Sequence, residues 1–314
     1  MLRDEYLWCE RFRPKKVADA ILPERIKTLF LNYVKVKNIP HLILCGSPGI
    51  GKTSAARAML DELDCDYKFL NASLDRNIDT LRNDILNYAS AVSFSGGRKY
   101  VILDEADNLN ANSFQPALRG FMDMYGNNCG FLFTCNYPGK IIEPLHSRCK
   151  TVDFSIEPNE RVDLACQFLD RVISILEQEK VEYDKTILAK VIERRFPDWR
   201  KMLMELQGYA GSGKIDAGIL SNYTDISLKK LVGYLKEQNF TEIRKWVAEN
   251  SMDVNDFYRN LYDNLLSSLT KIGQPMAILL LAKYEYEAAF SLNHEINMSA
   301  CLVDLMLRLK GEWL

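Results

Sequence analysis

The chain has 314 residues, with 40 Lys and Arg against 42 Asp and Glu for a net charge of −2, and it is 47% hydrophobic and 26% charged. That length suits two or three domains rather than one small core, and the composition is ordinary for a globular protein. Bulk positive charge is excluded as a source of nucleic-acid affinity, so any such contact has to come from basic residues placed locally.

In chain order, five short apolar runs rich in β-branched and aromatic residues predict strands at 41–45, 67–70, 100–103, 130–134 and 151–154. Helical spacing lies between them at 54–63, 78–92 and 113–125. Such alternation predicts an α/β domain with a doubly wound parallel sheet. After Pro158 only helical patterns remain, at 159–179, 184–195 and 198–209. A glycine-punctuated stretch from Gly208 to Gly218 then precedes five more, at 228–238, 241–250, 255–269, 276–292 and 295–310. The expected domains are 1–155, 156–222 and 223–314, the last with no motif of its own and suited to packing or assembly.

The eight cysteines form no Cys-x-x-Cys pair and the three histidines stand far apart, which argues against structural zinc and for reduced thiols in a cytoplasmic protein. No signal-like N-terminus is expected, and the longest apolar run, residues 276–282, is far too short for a bilayer.

The chemistry concentrates in two motifs. Gly46-Ser47-Pro48-Gly49-Ile50-Gly51-Lys52-Thr53 fits G-x-x-x-x-G-K-[ST] between a strand and a helix. Its glycines let successive N–H groups face inward as an anion cradle that continues into the helix at Ser54. Lys52 suits the β- and γ-phosphates of ATP, and Thr53 suits Mg²⁺. "KYVILDEAD" then brings Asp104 and Glu105 to a strand's carboxyl end, Asp104 for Mg²⁺ through its water shell and Glu105 to orient or deprotonate the attacking water.

Together with these, "WCERFRP", "NASLDRNIDTLRNDI", "LDEADNLNANSFQPALR", "LFTCN", "LHSRC" and "FPDWRKMLMELQ" occur in an order that resembles the AAA+ ATPases and, within them, the sliding-clamp loaders. The short chain is most similar to the ATPase subunits of T4-type bacteriophage loaders. The resemblance implies a P-loop AAA+ sheet domain, a small helical lid and an all-helical collar. It places Asn136 at the γ-phosphate or the attacking water, Arg200 on the lid as a second γ-phosphate contact, and Arg11 beside the nucleotide. Arg148, in the Ser-Arg-Cys stretch, then reaches a neighbouring subunit's nucleotide in trans. Gln115 couples DNA contact to the ATP site, and Arg82 and Arg76 touch the DNA backbone. Ser47, Ile50 and Gly120 stand where the family usually has proline, threonine and a basic residue.

The implied activity is ATP hydrolysis that opens a ring clamp and loads it onto primer-template DNA. The implied partners are copies of this chain, a different loader chain, the sliding clamp and DNA, with no membrane. Two alternatives are a protein-remodelling AAA+ ring, for which Phe94-Ser95-Gly96 is an imperfect pore loop, and a non-hydrolysing scaffold subunit, which usually lacks the lysine or the acidic pair kept here.

Overall fold

The computed structural model describes residues 6–73, 78–91, 97–211, 213–219, 223–250, 254–291 and 293–314. Arg76, the Phe94-Ser95-Gly96 stretch and the expected boundary at Asn222 lie outside the described residues. The chain divides into two compact units, Met1–Asp216 and Ala217–Leu314.

Five strands form the sheet of the first unit: β1 (Leu42–Cys45), β2 (Tyr67–Asn71), β3 (Lys99–Asp104), β4 (Cys129–Cys135) and β5 (Lys150–Asp153). They are all parallel, in the order β2-β3-β4-β1-β5. Every residue of β1 and β4 is buried, as the near-continuous apolar runs demand of strands covered on both faces. Successive residues of β4 point opposite ways: Leu132 enters a core with Ile26, Phe30 and Met59, while Phe131 and Phe133 enter another with Ile85, Phe114 and Leu118.

A short helix α1 (Trp8–Arg11) precedes the covering helices α2 (Glu24–Val36), α3 (Lys52–Glu62), α4 (Ile78–Ser90), α5 (Phe114–Tyr125) and α6 (Glu143–His146). No element was expected before residue 41, yet α2 lies there. Its buried Ile26 and Phe30 are followed by exposed Leu31 and Val36, which blurs the helical period in the sequence. α3 begins two residues before the expected 54, because Gly51, at φ +99°, turns the chain directly into a helix at Lys52.

The unit continues with α7 (Arg161–Gln178), α8 (Lys185–Arg195) and α9 (Trp199–Ala210), plus a two-stranded parallel pair, β6 (Glu182–Tyr183) and β7 (Lys214–Ile215). Asp184 and Asp198 cap α8 and α9 by accepting from Thr186 N–H and Lys201 N–H. The pair β6–β7 was not expected; two residues are too few to carry a strand period.

The second unit is helical: α10 (Tyr223–Lys236), α11 (Phe240–Glu249), α12 (Val254–Leu265), α13 (Gly273–Ala288) and α14 (His294–Arg308). Leu231, Trp246, Phe257, Leu281 and Leu302 share its core. α13 is apolar on two sides. Ala277, Leu280 and Leu281 face inward, whereas Met276, Leu279 and Tyr286, three and seven residues apart, are exposed, as are Ile272 and Phe290 just beyond its ends.

Packing within the sheet is tight at Gly130, where an added Cβ would lie 2.4 Å from the ring of buried Tyr100. Gly130→Ala is therefore expected to destabilise the first unit by about 1–3 kcal/mol, read as a lower melting temperature. An unchanged midpoint would mean that Tyr100 moves aside freely.

Candidate functional site

The loop after β1 reverses by placing Gly49 at φ +74° and Gly51 at φ +99°, the left-handed region that glycine enters without a Cβ clash. Gly49 also has the Asp198 carboxylate pressed against it, 1.9 Å from where a Cβ would sit. The phosphate loop thus directly abuts the start of α9.

Lys52 is 8% exposed and extends back across the loop. Its Nζ donates to the Gly46 carbonyl at 2.7 Å, the Ser47 carbonyl at 2.9 Å and Asn136 Oδ1 at 2.9 Å. Burial pushes the ammonium pKa down, opposed by nearby groups that include Asp104 and Asp107. Asn136 follows β4, beside the acidic strand β3. Its backbone N–H and that of Tyr137 both donate to Asp107 Oδ2 at 3.2 Å, which fixes the turn that presents the amide.

Asp104 ends β3, and its Oδ1 accepts from the hydroxyls of Thr53 and Thr134, each at 2.6 Å. Thr134 Oγ1 in turn accepts the Glu105 N–H at 3.1 Å. Glu105 is held at φ +55°, a conformation costing a non-glycine residue about 1–2 kcal/mol. The bond from its N–H to Thr134 helps to hold this conformation at the cavity described next.

These groups line one cavity. Pro48 to Ser54, Asp104, Glu105 and Asn136 form its floor, and Trp199 and Arg200 of α9 border it. Gly46 and Ser47 contribute carbonyls to Lys52 without lining it. Arg200 is exposed and, among the described residues, has no ion-pair partner. Trp199, the preceding residue, is anchored by stacking on Phe168, with centroids 4.6 Å apart, and by an edge contact with Phe196 at 5.2 Å.

Arg11 is not brought to this cavity. It pairs with Glu179 and lies over the Phe12 ring, 4.9 Å from its centroid, bordering a separate groove. Arg13 lines the cavity instead, with Nε and Nη1 buried and unpartnered. The Trp199 Nε1 and Asp107 Oδ1 atoms are likewise buried without a partner. Sequence reasoning missed Arg13, Asp107, Thr134 and Trp199. All four fall inside motifs already singled out, and the available signal was a polar residue interrupting an apolar strand, as with Thr134 in "LFTCN".

Arg148 is also absent from the lining. Its Nε and Nη2 grip the Asp123 carboxylate at 2.8 and 3.1 Å, and its Nη1 donates to the Pro144 carbonyl at 2.9 Å. Gln115 is fully buried. Its amide donates to the carbonyls of Leu109 and Lys140, each at 3.0 Å, and accepts the Ile142 N–H at 2.8 Å, which fastens α5 to the segment leading into α6. Arg82 is exposed on α4.

Residues 42–156 match the family model described as the ATPase family associated with various cellular activities. Residues 160–221 match one described as the sliding-clamp-loader large subunit, AAA+ ATPase lid domain. The chain is 33% identical over 271 residues to the sliding-clamp-loader large subunit of Enterobacteria phage T4, covering 85% of each. It is 30% identical to the protein of that name from Escherichia phage RB69, over 83% of this chain and 84% of the relative. It is 32% identical to the replication factor C small subunit of Saccharolobus solfataricus, over 97% of this chain and 95% of the relative. Among solved structures, a Thermotoga maritima RuvB variant shares the fold at a TM-score of 0.54 and 16% identity, over 79% of this chain and 85% of that one. On these matches, the chain belongs to the sliding-clamp-loader family of AAA+ ATPases.

Proposed function

We propose that this chain is the ATP-hydrolysing subunit of a complex that opens a ring-shaped sliding clamp and places it on primer-template DNA. The observation that carries this reading is the division of labour: Lys52, Asp104, Glu105, Asn136 and Arg200 surround one cavity, while Arg148 is not part of it. A cavity lined by Arg13 and Arg200 but not by Arg148 suits hydrolysis that Arg148 completes from a neighbouring subunit.

In this reading Lys52 and the loop N–H groups bind the triphosphate. Glu105 orients the attacking water and takes its proton. Asn136, placed by Asp107, hydrogen-bonds the γ-phosphate or that water, and Arg200 reaches the γ-phosphate from the lid. Arg148 enters the adjacent subunit's site, where a cationic fork stabilises transition-state charge.

The metal fits the donor set. Thr53 hydroxyl and Asp104 carboxylate are hard oxygens 2.6 Å apart, and no cluster of three acidic, His or Cys residues suited to a metal exists among the described residues. That arrangement suits Mg²⁺, which binds through few protein groups and takes water and phosphate for the rest. When bound it supplies positive charge at the phosphates.

We assign nucleotide binding to 1–155, the lid to 156–222 and an assembly collar to 223–314. The match of 160–221 to a lid model supports the second, and the outward apolar side of α13 supports the third. The partners are copies of this chain, a different loader chain, the clamp and DNA, with Arg82 on the DNA backbone. The setting is the cytoplasm, where replication proceeds; no described helix is long and apolar enough to cross a membrane.

Steady-state ATP hydrolysis measured for the assembled complex alone, with clamp, with primed DNA and with both tests the proposal. The rate is expected to rise most with both. Arg82→Ala should weaken DNA binding and reduce the salt slope of affinity by about 1. A rate indifferent to clamp and DNA alike would overturn the reading.

A further inference from the structure

The contacts around Arg148 account for most of its donors. A guanidinium has five N–H groups. Nε and one Nη2–H meet the two oxygens of Asp123, at 2.8 and 3.1 Å, and one Nη1–H meets the Pro144 carbonyl at 2.9 Å. Ser147 Oγ lies further off, 3.4 Å from Nη1. Among the described residues, that leaves one Nη2–H without an acceptor and only the longer contact to Ser147 on the second Nη1–H. The plane of the fork is therefore fixed by a carboxylate on one side and a main-chain carbonyl on another.

Asp123 itself is half exposed, its side chain at 50%, whereas that of Arg148 is 28% exposed. The carboxyl pKa is held below its ordinary value chiefly by the hydrogen bonds from Arg148. Arg119, one turn earlier on α5, approaches the same carboxylate only at 3.9 Å. An ion pair at such exposure adds little to folding stability. Its bidentate geometry does fix direction, in a side chain that otherwise samples many rotamers. α5 carries Asp123 two turns after Gln115, so one helix holds the backbone at 140 and 142 and also the guanidinium at 148.

We infer that Asp123 is a positioning residue for ATP hydrolysis in the neighbouring subunit: it holds the Arg148 fork so that its uncommitted edge faces a triphosphate across the junction. The inference rests on the proposed in-trans role of Arg148. Asp123 does not line the nucleotide cavity of its own subunit; it acts through the arginine. Orientation of this kind is worth a large factor in rate, because a misplacement of about 1 Å can cost on the order of a hundredfold.

The test measures clamp- and DNA-stimulated ATP hydrolysis by the assembled complex for Asp123→Ala, Asp123→Asn, Asp123→Glu, Arg148→Ala and the Asp123→Ala/Arg148→Ala double variant. Asp123→Ala is expected to lower kcat about tenfold with KM for ATP and melting temperature unchanged. Asp123→Asn should fall likewise, and Asp123→Glu should recover most of the rate. In the Arg148→Ala background the second substitution should cost nothing more. The inference is overturned if Asp123→Ala hydrolyses as fast as wild type while Arg148→Ala is impaired. Equal losses in both backgrounds, or loss of the assembled complex in both Asp123→Ala and Asp123→Asn, would also overturn it. Failure of the underlying reading shows separately, as an Arg148→Ala complex that retains the wild-type rate.

Discussion

Glu105→Gln in the assembled complex is expected to lower ATP turnover by about 10²–10⁴-fold, the range lost with a general base, while ATP affinity stays near wild type. The amide keeps the size of the carboxylate and cannot take a proton. Binding should survive because Lys52 and the loop glycines that form the phosphate cradle are untouched. The main-chain bond from Glu105 to Thr134 also survives, so the backbone should keep its unusual conformation. The check is single-turnover hydrolysis alongside titration with a fluorescent ATP analogue. A variant that turns over ATP within a few-fold of wild type would remove Glu105 from the chemistry and revive the scaffold reading.

Arg148→Ala should cost about 10³-fold or more in stimulated hydrolysis, the usual worth of an arginine finger. Nucleotide binding by the same subunit should be spared, since Arg148 is not among the residues lining its cavity. Mixing makes the prediction sharper. Assemblies of Lys52→Ala and Arg148→Ala chains contain some junctions that pair an intact cradle with an intact arginine, and these should regain part of the rate. If mixtures stay as slow as either variant alone, the arginine does not act across a junction.

What could be read from sequence divides by range. The phosphate loop, the acidic pair at the end of β3 and the alternation of strands and helices are local patterns, set by residues within one or two turns of each other. The α/β fold and the helices beyond residue 158 follow from them, whereas the lid and collar came only with the motif resemblance. Asn136 beside Lys52 was legible only through the motif resemblance, because the 2.9 Å contact joins the first residue of α3 to the residue after β4, far apart in the chain. Arg11 and Arg13 show the limit. They are two residues apart in "ERFRP", and nothing in their spacing says which enters the cavity; Glu179, far along the chain on the lid, captures Arg11. α2 was missed for a different reason, since its apolar residues face both the core and solvent and so carry no clear period. Asp123 gave no signal at all, because an acid on a polar helix face has meaning only once Arg148 lies against it.

The strand order carries a consequence for biosynthesis. β1, which leads into the phosphate loop, pairs only with β4 and β5: Leu42 stands opposite Leu132 and Lys150. While the polypeptide emerges from the ribosome, that first strand waits from Cys45 to Cys129 before either flank exists, a high-contact-order route that folds slowly and exposes sticky edges meanwhile. Nascent chains stalled short of residue 150 should accordingly be protease-sensitive and chaperone-bound.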